Sequence, residues 1–312
     1  MGSCENSKQI KTLRLAHTLD TNHPVHLGME HMAEQLDEVS GGKLKIQIFP
    51  SGQLGGEREL VELLQIGSLA MTKVSSAVME NFSPNFKVLS LPYLFNDDEH
   101  AFEVLDGKIG KDLLHGATDF KLYGLGFYDA GSRSFYTKER MIEVPGDLGG
   151  LKIRVMKSNT AVNMVNALGG TPTPISYGEL YTALQQGVVD GAENNPPSFY
   201  TSKHYEICKY YSLDEHTTIP DVLLISTDAW NKLNEQEQKW LQIAADKSIK
   251  YQRILWAASE KESLEKVQAA GVEISRPDKK KFQEQVSSLY QAYEADTAKF
   301  KLIQDIKQMA ND

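Results

Sequence analysis

Residues 229–270 contain neither proline nor glycine, and the apolar positions Trp240, Ile243, Ala244, Ile254, Leu255, Ala258, Leu264 and Val267 recur at helical intervals. About 36 residues of unbroken helix would be on the order of 50 Å long, more than the width of one ordinary lobe. Such a helix has to run along two globular units and tie them together. A chain of 312 residues is long enough to supply both, because single cores stop growing at roughly 250 to 300 residues.

The segments before this run alternate between strand and helix patterns. Residues 12–16 read as a strand, 25–39 as a helix stopped by Gly41-Gly42, and 43–49 as a strand with one wet face. That order implies a parallel βαβ unit. A helix is expected at 57–66, a strand at 71–76, a buried apolar run broken by Pro92 at 88–95, a helix at 101–114 and a strand at 121–127. A second set opens with Leu151-Lys152-Ile153-Arg154-Val155, passes through a helix-sized apolar repeat and the turn-rich Asp190-Gly191-Ala192-Glu193-Asn194-Asn195-Pro196-Pro197, and continues into 205–212. Residues 221–226 form a strand approached through an extended crossing at 217–220; a short strand follows Gly271, and Asp278 begins further helix. The expected class is α/β in two lobes, 12–130 with 220–258 and 131–219 with 259–312, after a leader at 1–11. Small ligands favour the seam between such lobes.

Composition narrows the chemistry. A net charge of −9 leaves no basic face for nucleic acid, and no run approaches the ~18 apolar residues of a membrane span. Cys4 and Cys208 are the two cysteines, too far apart in sequence for a disulfide framework or a zinc site. Met1-Gly2-Ser3-Cys4 lacks the apolar stretch of a signal peptide. Small residues before a cysteine match the end of a bacterial lipoprotein signal, which leaves a lipidated Cys4 and a non-native leader as alternatives.

Catalytic signatures are missing. There is no Gly-x-Ser-x-Gly elbow, Cys208 has no histidine at motif spacing, and His23, His26 and His31 form neither HExxH nor a cysteine-histidine set. The glycine-rich loop at 50–57 lacks the Lys-Ser/Thr ending of a P-loop, and Gly124 and Gly126 open no helix. No metal or cofactor is expected. Arg154 lies on the polar face of its strand, and opposite the amides of 190–197 it would suit a small, hydroxyl-rich anion. Arg133 offers a second basic group at another strand end, and Glu57 an acceptor for hydroxyls.

At these residues the chain resembles the solute-binding proteins of tripartite ATP-independent periplasmic (TRAP) transporters. The likeness rests on Phe49-Pro50-Ser51-Gly52-Gln53-Leu54-Gly55-Gly56-Glu57, Leu91-Pro92-Tyr93, Leu148-Gly149-Gly150-Leu151-Lys152-Ile153-Arg154-Val155, Thr171-Pro172-Thr173-Pro174 and Gly187-Val188-Val189-Asp190-Gly191-Ala192-Glu193-Asn194. It covers nearly everything after Thr12. The resemblance implies the two-lobed fold of periplasmic binding proteins, with the ligand cleft between the lobes. It implies capture of an organic acid outside the cytoplasmic membrane and delivery to a small and a large membrane subunit, by a protein expected to be monomeric.

By the same likeness Arg154 grips the substrate carboxylate, with Arg133 and Asn194 beside it. Tyr177 lines the cleft, and Glu57, Ser75 and His17 face the rest of the ligand; Asn195, Asp221 and His216 complete the expected set. Ser75 stands where sialic-acid binders carry a glutamate, which points away from sialate. Glu193-Asn194-Asn195-Pro196-Pro197-Ser198-Phe199, His204-Tyr205-Glu206 and Glu215-His216-Thr217 look like the branch that takes hexuronates and related sugar acids. Two other readings share these residues: an enzyme of sugar acids using Glu57, His17 or His216 as acid and base, and a ligand-sensing receptor.

Overall fold

The computed structural model describes residues 10–309. Cys4 and most of the leader lie outside them. The strands are β1 (Lys11–Ala16), β2 (Leu44–Phe49), β3 (Met71–Ser75), β4 (Leu122–Tyr128), β5 (Ser132–Thr137), β6 (Lys152–Val155), β7 (Thr171–Pro174), β8 (Gly191–Asn194), β9 (Tyr210–Thr218), β10 (Asp221–Ser226) and β11 (Glu273–Ser275). They form a five-stranded sheet ordered β2-β1-β3-β10-β4 and a six-stranded sheet ordered β11-β9-β5-β8-β6-β7. β1 and β2 are parallel and joined by α1 (Pro24–Ser40), as a strand-helix-strand pattern requires. β7 carries Pro172 and Pro174 and sits at a sheet edge, where the missing N–H groups break no ladder.

The chain passes between the sheets twice in short connections. β4 leads into β5 through Asp129-Ala130-Gly131, and β9 leads into β10 through Ile219-Pro220. The third link is a helix of 35 residues, Glu235–Ala269. Its start is fixed by Asn234, whose Oδ1 accepts from the N–H groups of Gln236 and Glu237 (3.0 Å each), while Glu237 Oε2 accepts from Asn234 N at 2.8 Å. Leu241, Ala244, Ala245 and Trp256 join the core built by α1 and the five-stranded sheet, and Val267 joins the core of the other lobe. α1 lies close against this helix: a Cβ on Gly28 would come within 2.8 Å of Gln252 Cβ.

Three expectations are corrected. The helix foreseen at 101–114 is two helices, Asp98–Asp106 and Lys108–Gly116, broken at Gly107, where the backbone is extended (φ −77, ψ −165). β9 covers Tyr210–Thr218, so Asp214, Glu215 and His216 belong to a strand that the polar sequence concealed. The C-terminal segment, grouped with the second lobe, divides between both. Phe282 and Val286 pack in the second lobe, whereas the helix Thr297–Met309 buries Ile303 and Ile306 against Val88, Leu91, Leu94 and Val104 of the first. His100 Nε2 bonds to the Ile306 carbonyl at 2.8 Å and holds it there. Among the described residues no helix is long and apolar enough to cross a membrane.

Candidate functional site

Both sheets bring strand ends to one cleft. From the five-stranded sheet come Lys73 and Ser75 on β3 and Asp221 at the start of β10, joined by Glu57, the first residue of α2 (Glu57–Gln65). The antiparallel pairing of β10 with β3 sets Asp221 opposite Ser75. From the six-stranded sheet come Arg133 on β5, Arg154 on β6 and Asn194 on β8, with Tyr177, Asn195 and Ser198 beside them. Trp256 enters from the long helix. The side chains of the two walls enclose a small cavity between them.

Arg154 is 2% exposed, and its Nε donates to the Ile175 carbonyl at 2.8 Å. Among the described residues neither terminal nitrogen has a protein acceptor, and no carboxylate lies within ion-pairing distance. Burial lowers its pKa below the ordinary arginine value, and the charge of Glu193 only partly opposes this. The guanidinium stays protonated regardless. A buried cation without a partner is unfavourable, and an anion entering the cleft would relieve it.

Arg133 is in a different state. Its Nε donates to Glu193 Oε2 (2.5 Å), its Nη2 to Glu193 Oε1 (3.0 Å) and to the Glu193 carbonyl (2.7 Å), and its Nη1 to Asn194 Oδ1 (2.7 Å). The second basic group that the sequence offers is neutralised within its own lobe. Burial pushes the Glu193 carboxyl up, but Arg133 and His216 outweigh it and hold it at about 2. His216 bridges Asp214 (2.8 Å) and Glu193 (3.5 Å). Burial disfavours its charge, yet the two carboxylates raise it to about 9.

This network orients Asn194. Its Oδ1 accepts from Arg133 Nη1 at 2.7 Å and from Asn195 N at 3.0 Å, which leaves Nδ2 as the end without a protein partner among the described residues. An arginine cannot accept, so the amide has one consistent orientation. Asn195 is committed elsewhere: Oδ1 caps the helix Pro196–Thr201 through Ser198 N (2.8 Å), and Nδ2 donates to the Ala130 carbonyl (2.9 Å) at the crossing between sheets.

On the facing wall Lys73 lies 2.8 Å from Asp221 Oδ2 and 3.3 Å from Glu57 Oε1. Burial alone would lower the ammonium's pKa, but Asp221 and Glu57 raise it above the ordinary lysine value. Burial raises the Asp221 carboxyl, Lys73 pulls it down and Glu57 pushes it up again. Glu57 Oε1 also accepts from Ser75 N at 3.3 Å.

The walls meet across the mouth. Glu80 accepts from Thr160 Oγ1 (2.7 Å) and Thr160 N (3.2 Å), Asn81 Nδ2 donates to the Lys157 carbonyl (2.8 Å), and Lys157 pairs with Glu59 at 3.8 Å. Deeper in, His23 Nε2 reaches Ser198 Oγ at 3.2 Å.

Of the expected residues, Arg154, Asn194, Arg133, Glu57, Tyr177, Ser75, Asn195 and Asp221 line the cleft. His17 and His216 do not. His17 is fully buried against His26 (2.9 Å) and accepts from Leu19 N at 3.1 Å; burial first, then Lys73 and His26, lower it to about 3. His216 stands behind Glu193, a neighbour of the site rather than part of its wall. Sequence reasoning passed over Lys73, Trp256, His23, Met156 and Ser198. Lys73 had a usable signal, a charge in the middle of the apolar strand Met71-Thr72-Lys73-Val74. Trp256 had none, because an indole on a long amphipathic helix reads as core.

Two α/β lobes closing on a cleft that holds an unpaired buried cation define a binding protein for a small anion. The chain belongs to the bacterial extracellular solute-binding proteins of family 7, whose pattern matches residues 15–296. It is 42% identical over 301 residues to the protein YiiZ of Salmonella typhimurium, covering 96% of this chain and 92% of that one. A TRAP periplasmic solute-binding protein from Xanthobacter autotrophicus Py2, solved with bound β-D-galacturonate, superposes with a TM-score of 0.92 at 40% identity, covering 95% of this chain and 99% of that one. A Pseudomonas putida F1 counterpart with bound D-glucuronate gives 0.91 at 36% identity, covering 95% and 96%. The protein is thus a TRAP-type solute-binding component that works outside the cytoplasm with membrane partners, and not an enzyme.

Proposed function

We propose that this protein captures a hexuronate, D-glucuronate or D-galacturonate, and delivers it to the membrane subunits of its transporter as a monomer. The observation that carries the reading is the buried Arg154 guanidinium, whose terminal nitrogens have no partner among the described residues at the cleft wall. The ligand carboxylate takes those two donors in the bidentate geometry that arginine favours, and Asn194 Nδ2 donates a further bond. Tyr177 supplies an aromatic side to the pocket, and Lys73, Glu57, Asp221 and Ser75 meet the hydroxyls from the other lobe. Relatives solved with galacturonate and glucuronate support the ligand class.

Capture works by closure. With the lobes divided near 130 and 220, hinge motion falls on Asp129-Ala130-Gly131, Ile219-Pro220 and the long helix. The ligand favours the closed state because only there does it bond to both walls at once. Titration of the purified protein with uronates in a thermal-shift assay tests the reading. At a hundred times the dissociation constant the stabilisation is about 2.7 kcal/mol, or roughly 4 °C for a chain of this size. No shift with either uronate refutes the proposal. Light scattering should return a mass near 34.9 kDa with and without ligand, and a dimer mass would refute the monomer.

A further inference from the structure

The two walls of the cleft carry opposite charge balances. On one, Arg133 is cancelled by Glu193 and Arg154 remains a free positive charge. On the other, a single ammonium, Lys73, faces two carboxylates, Asp221 at 2.8 Å and Glu57 at 3.3 Å, so the cluster has one negative charge in excess. Asp221 Oδ1 and Glu57 Oε2 have no protein donor among the described residues, and Lys73 uses two of its three N–H groups on these partners. A hydroxyl fits such a cluster doubly, giving its proton to a free carboxylate oxygen and its lone pair to Lys73. A second carboxylate offers acceptors only, and it would meet like charge in a wall from which water is largely excluded.

We infer that Lys73, Glu57 and Asp221 restrict the receptor to monoacids that are hydroxylated at the end away from the carboxylate, and that they reject the matching diacids. The inference rests on the sugar-acid reading of the Arg154 end and extends it to the opposite end of the ligand. Selection comes from the repulsive element as much as from the attractive one. Neutral sugars are refused at Arg154, diacids at Asp221 and Glu57.

The test is calorimetric titration with D-glucuronate and with four compounds of one carbon skeleton: D-galacturonate, D-galactonate, galactarate and D-galactose. The wild type should bind a monoacid at least about a hundredfold more tightly than galactarate, the scale that like-charge juxtaposition imposes, and should not bind galactose measurably. In Asp221→Asn, and more so in Glu57→Gln/Asp221→Asn, the preference for monoacid over galactarate should shrink at least about tenfold, with galactarate binding more tightly than it does to the wild type. Galactarate bound by the wild type within about threefold of the monoacids overturns the inference, as do variants that weaken both ligand types equally. Binding of galactonate without either uronate sinks the hexuronate proposal and leaves the charge rule standing; binding of no acid sinks both. The wild-type comparison needs no variant, and Asp221→Asn leaves Lys73 paired with Glu57 if the double variant does not fold.

Discussion

Replacing Arg154 by methionine separates a ligand-binding arginine from a structural one. The side chain is buried, and among the described residues its single protein bond runs from Nε to the Ile175 carbonyl at 2.8 Å and it has no countercharge of its own. Removing one member of a desolvated charge pair costs roughly 3 to 5 kcal/mol, so uronate affinity should fall by between about two and four orders of magnitude. Arg154→Lys keeps the charge but loses the fork, and should fall between the two, near tenfold weaker, about the worth of one charge-assisted bond. The ligand-free protein should respond in the opposite sense. An unpaired buried guanidinium opposes folding, and an unbranched apolar side chain of similar length does not. Arg154→Met should therefore melt no lower than the wild type without ligand, while losing the ligand-induced shift. Calorimetry and thermal melts report the two quantities independently. Affinity within about tenfold of the wild type, or a ligand-free melting point lower by more than about 5 °C with the ligand shift retained, would refute the argument.

Three further outcomes follow from other parts of the molecule. Glu80→Ala removes the carboxylate that bridges to Thr160 N and Oγ1 across the mouth; at about 1 to 2 kcal/mol of closed-state stability, dissociation should quicken roughly five- to thirtyfold with association nearly unchanged. Stopped-flow fluorescence from Trp256, which lines the cleft, reads both rates, and an unaltered dissociation rate would count against a latch. The His216 pKa is raised from 6.5 to about 9, so its contribution is complete below about 6.5 and is lost as pH rises through 9. Denaturant stability should decline across that window by roughly 3 kcal/mol, and His216→Gln should flatten the alkaline slope. In the acid direction His17 and His204, both lowered to about 3 chiefly by burial, contribute stability present above 6.5 that is lost as pH falls toward 3. A wild-type curve flat from 6.5 to 9 would show that His216 is not charged in the folded protein.

The elements that could be read from the sequence are those whose signal is local. The βαβ opening shows its alternation and helical repeat, and its helix ends where Gly41 takes the left-handed conformation at φ 60. The long helix shows itself by lacking breakers and by its apolar repeat. What escaped is non-local. Asp214, Glu215 and His216 look like a loop because their polarity is matched by partners such as Glu193 and Lys279, which are remote in sequence. The apolar face of Thr297–Met309 suits either lobe until the chain has folded back onto the first.

The amino-acid order by itself determined two α/β units, a helix long enough to join them, and the placing of arginines, carboxylates and amides at strand ends, since each follows from side-chain periodicity and backbone preference within a few residues. Tertiary structure decided which of those groups remains open to a ligand. Arg133 and Arg154 are equivalent as sequence, each a basic residue on a short strand; the register of β5 against β8 sets Glu193 beside the first and no carboxylate beside the second. Charge neutralisation acts through space over a few ångströms and is indifferent to separation along the chain, so the free cation that defines this site exists only once the six-stranded sheet has formed.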